Sequence, residues 1–115
     1  MKTLDNLKLQ GNEKEAIREA TRMLKCDFRV KEVILFGSKV RGDSDEDSDI
    51  DLFLVTERPI HWRERQSIVH ALFDLGMKYD VIFSILDAPE EEVRGGMFSA
   101  FPIHEEITRE GVPAL

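Results

Sequence analysis

The chain has one cysteine, Cys26, in 115 residues. No internal disulfide can form, so a reducing compartment is expected. Cys26 falls in a helical stretch and is expected to act as a small core residue. No uninterrupted apolar run approaches the ~20 residues that a membrane span needs. The opening "MKTLDNLKLQGNEKE" has no apolar core of the kind a secretory signal carries. These absences point to a soluble cytoplasmic protein. Excess positive charge is missing too. The formal net charge is -7, which argues against direct nucleic-acid binding through bulk electrostatics. His61, His70 and His104 are scattered without metal-ligand spacing, so structural or surface roles are expected of them. There are no repeats and no low-complexity tracts.

What is present is a hydrophobic fraction of 42%, enough for one modest core, and the length suits a single domain over residues 1–115. Apolar residues Ala16, Ile17, Ala20, Met23 and Leu24 recur at helical spacing, so a helix is predicted over Asn12–Cys26 with Asn12 as its cap. "EVILF", Glu32 to Phe36, reads as a buried strand ended by Gly37. "DIDLFLV", Asp49 to Val55, is a second strand. A helix is predicted from His61 to Leu75, with Trp62, Ile68, Val69, Leu72 and Phe73 on its apolar side and Gly76 as its C-terminal cap. "YDVIFSIL", Tyr79 to Leu86, is a third strand. Asp87 is expected to cap a short helical turn. Gly95-Gly96 reads as a joint, and Met97 to Glu110 as largely helical, with Met97, Phe98 and Phe101 either an apolar edge or core. The order of elements is that of a small α/β (α+β) domain.

The acidic residues carry the chemistry. Side chains alternate faces along a strand, so Asp49 and Asp51 share one face, while Ile50, Leu52 and Leu54 pack on the other. Two carboxylates held this close suit a hard divalent cation, since Mg²⁺ is usually held by one or two carboxylates plus substrate phosphates. Asp80, near the start of the third strand, gains weight from the pair it can join. Before the acids, Gly37 allows close approach of backbone to a phosphate. Ser38 offers a hydroxyl and an N–H, and Arg41, with Lys39 as a second candidate, can neutralise phosphate oxygens. The loop is not a Walker loop, because the Gly-Lys-Ser/Thr ending is absent. "DSDEDSDID" is not an EF-hand either, because Ser48 and Leu54 stand where the glycine and closing glutamate belong. Asp43, Asp45, Glu46 and Asp47 are expected to be a solvated loop.

Taken together, "GSKVRGDSDEDSDIDLFLV" resembles the signature of the nucleotidyltransferase superfamily related to DNA polymerase β. Its spacing is similar to that of the minimal nucleotidyltransferases often paired with a HEPN-domain protein, and "IHEEITREGVPAL" resembles the closing helix and tail of that branch. Gly37, Ser38, Arg41, Gly42, Asp49, Asp51 and Asp80 match the motif. The resemblance implies a nucleotidyltransferase fold, a small mixed sheet flanked by helices. It implies Mg²⁺ bound by Asp49, Asp51 and Asp80, which would also be the catalytic residues. Gly37, Ser38, Arg41 and Gly42 would hold the phosphates of a nucleoside triphosphate, with ATP the family default. AMP would pass to a hydroxyl acceptor, pyrophosphate leaving. With no length left for an acceptor domain, the acceptor site would come from a second subunit or a partner. The resemblance implies a HEPN-domain toxin as that partner and an antitoxin role, with a homo-oligomer also compatible. Two other readings stay open: a binding module that neutralises such a partner by contact with little or no catalysis, and a small-molecule nucleotidyltransferase with a helper subunit.

Overall fold

The computed structural model describes residues 4, 7, 9–42, 49–96 and 102–114. Helix α1 spans Gly11–Asp27. Its start is set by Gln10, whose backbone N–H donates to Glu13 Oε1 at 2.9 Å, a capping-box contact. Asn12, predicted to be the cap, instead donates through Nδ2 to the Tyr79 carbonyl at 2.9 Å and ties two helices together. Ala16, Ile17, Ala20 and Leu24 form the fully buried stripe that the spacing predicts. Cys26 lies off that stripe and is exposed, not a core residue.

Strand β1, Glu32–Phe36, pairs antiparallel with β2, Ile50–Thr56. Between them lies a single helical turn, α2, Ser38–Arg41. Helix α3, Trp62–Tyr79, returns the chain so that β3, Phe83–Pro89, lies parallel to β2. A short helix α4, Glu90–Val93, and helix α5, Pro102–Glu110, follow. Strand β4, Val112–Pro113, then pairs antiparallel with β1. The sheet order is β3-β2-β1-β4, a mixed α+β sheet flanked by helices, as expected. β4 lies in a tail with no strand period, so local pattern offered no signal for it.

The period of two in β2 divides the core. Ile50, Leu52 and Leu54 join Ile17, Leu24, Ile68 and Leu72 on the side of α1 and α3. Phe53 and Val55 join Phe36, Ala88 and Ile107 on the side of α5. The predicted apolar side of α3 is only partly right. Ile68, Leu72 and Leu75 are buried, but Trp62, Val69 and Phe73 are exposed.

The end of α3 also differs from expectation. Gly76 is not its cap but a buried residue inside it, and a Cβ there would come within 2.5 Å of the Val81 carbonyl oxygen. The helix continues to Tyr79. Asp80 takes the left-handed conformation at φ 57°, which Asp tolerates better than most residues. The Val81 N–H closes the end by donating to the Gly76 carbonyl at 2.9 Å, a Schellman-type closure. β3 therefore starts at Phe83. No helix among the described residues is long and apolar enough to cross a membrane.

Candidate active site

β1 ends at Phe36, which lies opposite Asp51 in the antiparallel ladder. The next residue, Gly37, adopts φ 81° and ψ -155°, a region open essentially to glycine alone. A methyl group on Gly37 would lie 2.3 Å from Asp51 Oδ2. The turn thus brings bare backbone against a carboxylate, and no other residue type fits there. Ser38 begins α2, and Gly42 closes it at φ 81° with its N–H donating to the Ser38 carbonyl at 2.9 Å.

The two candidate cations of this turn have different fates. Lys39 is buried, and its Nζ lies 2.5 Å from Glu13 Oε2 of α1. It braces the turn from behind and is not a phosphate ligand. Arg41 is exposed on the α5 side. Its Nη1 lies 2.9 Å from Glu106 Oε1 and 3.8 Å from Glu110 Oε2. Glu110 Oε2 is buried and has no hydrogen-bond partner among the described residues.

Asp49 is exposed just before β2, and Asp51 is half-buried on it. Desolvation lifts the Asp51 carboxyl above its ordinary range, the Asp49 charge adds to that, Arg41 opposes it, and Glu106 adds a smaller push. The charges of Asp49, Glu106 and Arg41 thus all act on Asp51, and Glu110 comes near the same Arg41, at 3.8 Å. Among the described residues Arg41 is the cation facing these acids, and Arg109 lies 3.6 Å from Glu110. Among the described residues the acids acting on Asp51 outnumber the cations, and a cation or a cation-bearing ligand would relieve this.

Asp80 does not join this group. It caps α3, is exposed, and lines a groove with Phe73, Met77 and Phe83 on the α3 side of the sheet. The sequence expectation put it on β3 because Gly76 read as the end of the preceding helix. The β3 residue beside Asp51 is Ser84, which shares its face of the sheet. Among the described residues no group of three or more His, Cys, Asp or Glu side chains is close enough to hold a metal ion. Asp43, Asp45, Glu46 and Asp47, and likewise Met97, Phe98 and Phe101, lie outside the described residues. Sequence reasoning missed Glu13, Glu106 and Glu110. Each sits on a helix distant in sequence, and nothing in local pattern separates them from ordinary solvated glutamates. A cavity of about 700 Å³ lies between α5 and the sheet, against Ile34, Phe53 and Val55; Arg41 lines it, but neither aspartate does.

Residues 18–95 match the model of the polymerase beta nucleotidyltransferase family. A candidate protein adenylyltransferase of Methanocaldococcus jannaschii, MJ0604, is 32% identical over 102 residues, covering 87% of this chain and 95% of its own length. Among solved structures, a candidate minimal nucleotidyltransferase superposes with a TM-score of 0.62 at 28% identity, over 92% of this chain and 98% of the other. The chain also superposes on one from a complex of a tri-AMPylated Shewanella oneidensis HEPN toxin with an MNT antitoxin. There the TM-score is 0.55 at 16% identity, over 93% of this chain and 72% of the matched one, a likeness of fold alone.

Proposed function

The chain belongs to the polymerase β nucleotidyltransferase family, and from that premise we propose that it transfers AMP from ATP, with Mg²⁺, to a hydroxyl of a partner protein. In this reading residues 1–115 act as one nucleotidyltransferase domain and as the antitoxin of a HEPN/MNT pair. In this reading the reaction takes place in the cytoplasm, where ATP is at hand. The observation that carries the reading is the contact between Gly37 and Asp51, which sets a bare glycine turn directly against paired carboxylates.

The donor set suits Mg²⁺. Asp49 and Asp51 would hold the ion through carboxylate oxygens, the donor type that Mg²⁺ takes together with substrate phosphates. When bound, the ion supplies charge neutralisation and lines up the triphosphate. The chain's own residues do the rest. The Gly37–Ser38 backbone and the Ser38 hydroxyl receive the outer phosphates. Arg41 exchanges a carboxylate partner for a phosphate oxygen. The acceptor oxygen bonds to the α-phosphorus, and the bond from that phosphorus to its bridging oxygen breaks. Pyrophosphate leaves, and the hydroxyl proton passes to a carboxylate.

The position of Asp80 favours a second reading, in which the chain retains nucleotide binding but neutralises its partner mainly by contact. Labelled ATP with Mg²⁺, incubated with the chain and a co-expressed partner, separates the two. Label on the partner, lost in an Asp49→Asn, Asp51→Asn double variant, supports transfer. Intact partner binding by that variant, with no label from the wild type, supports contact alone.

A further inference from the structure

The outer face of α3 carries an apolar stripe that the fold leaves uncovered. Trp62 is 59% exposed, Val69 48%, Phe73 66% and Met77 71%, and Ile82, just before β3, is 63% exposed. Val69, Phe73 and Met77 follow one another at four-residue steps, so each lies ~40° around the helix from the next and all three fall within ~80°, with Trp62 and Gln66 in the same sector. A groove of about 460 Å³ runs between this stripe and β3. None of these residues belongs to the candidate active site.

We propose that this stripe is the surface through which two copies of the chain pair, their α3 helices antiparallel about a two-fold axis near Val69. The charges beside the stripe select that occupant. Arg63 and Asp74 lie on the same flank, about three turns apart. Both are exposed, and neither makes an ion pair among the described residues; the Arg63 guanidinium lies 5.2 Å over the Trp62 ring. The other charges of α3 are turned away or engaged. Lys78 is held by Glu19 of α1 at 3.2 Å, Arg65 is paired with Asp87 of β3, and Glu64 points to the side opposite Phe73.

An antiparallel two-fold brings each flank against its own copy with the direction reversed. Arg63 of each chain then runs alongside Asp74 of the other, Trp62 meets the second copy's Met77, and Val69 meets Val69. A parallel two-fold would place these flanks on opposite sides of the pair, where Arg63 and Asp74 could not meet. Side chains of this size, half exposed or more, offer on the order of 600 Å² per copy, against ~800 Å² per partner in a standard interface. A patch of this size suits a reversible dimer.

Sedimentation equilibrium of the full chain up to ~100 μM tests this. The expected result is a monomer–dimer equilibrium for the wild type and a monomer throughout for Phe73→Glu, with an unchanged circular dichroism spectrum, because the residue is exposed. Arg63→Asp and Asp74→Arg should each weaken the dimer about tenfold, and the Arg63→Asp, Asp74→Arg double variant should recover most of that loss. Asp49→Asn should dimerise like the wild type, so the result is independent of the transferase reading. A wild type that stays monomeric, a double variant no better than either single one, or a stripe occupied only by a different protein overturns the proposal.

Discussion

Gly37 and Asp51 touch across the end of the β1–β2 ladder, with no room between the Gly37 Cα and Asp51 Oδ2 for even a methyl group. The backbone of Gly37 is also in a region closed to other residues. One position thus combines a conformational and a steric demand for glycine.

Gly37→Ala must displace the Asp51 side chain, because that carboxylate end is the part able to move. A stability loss of about 1–3 kcal/mol is expected from the backbone strain, together with loss of nucleotide transfer by at least ~100-fold. Thermal melts and a labelled-ATP assay measure both. Wild-type activity in a folded Gly37→Ala protein would contradict the placement of the site.

Lys39 and Glu13 form a buried pair between α2 and α1. Removing one partner leaves the other charge buried, so Lys39→Met should cost about 3–5 kcal/mol. Neutralising the second partner should recover much of it, making the Glu13→Gln, Lys39→Met double variant more stable than Lys39→Met alone. Denaturant unfolding of the three variants completes a double-mutant cycle. Additive losses would mean the two charges are not coupled.

The Asp51 carboxyl is lifted above its ordinary value of 3.8 in the folded chain, by desolvation first and by Asp49 second. In the window between the unfolded and folded values the native state holds more protons. Stability therefore falls as pH rises through that window. Metal-free Asp51→Asn should melt above the wild type at pH 7, and the gap should close as pH falls towards about 4. Mg²⁺ should raise the wild-type melting temperature and leave that of the variant nearly unchanged. A variant that melts below the wild type at pH 7 would reverse the sign of this account.

Glu106 holds Arg41 at 2.9 Å and adds negative charge near Asp51. Glu106→Gln releases Arg41 for phosphate and relieves the aspartates. ATP binding measured by calorimetry should tighten about three- to tenfold. An unchanged or weaker affinity would show that the Arg41–Glu106 pair does not compete with the nucleotide.

The alternation of "DIDLFLV" made one half of the site legible, since a strand period of two is a local property. It correctly put Ile50, Leu52 and Leu54 on one side and Phe53 and Val55 on the other. The stop after "EVILF" was equally local, because glycine punctuates a strand without help from the rest of the fold. Gly76 misled for a physical reason: it looks like a helix cap, yet it serves a close crossing of backbone at Val81. That single difference lengthens α3, moves the start of β3 and takes Asp80 out of the acid group. The helical period on α3 was real, but two apolar faces are present and periodicity cannot say which one the sheet covers.

Chain chemistry alone put two aspartates side by side at the start of a strand, beside a glycine-serine turn, because their spacing and the turn are both local. Only the tertiary structure decided which other charges meet them. It buried Lys39 against Glu13 and brought Glu106 and Glu110 to Arg41. Such meetings depend on how helices far apart in sequence settle on the two faces of the sheet, and no local pattern encodes that.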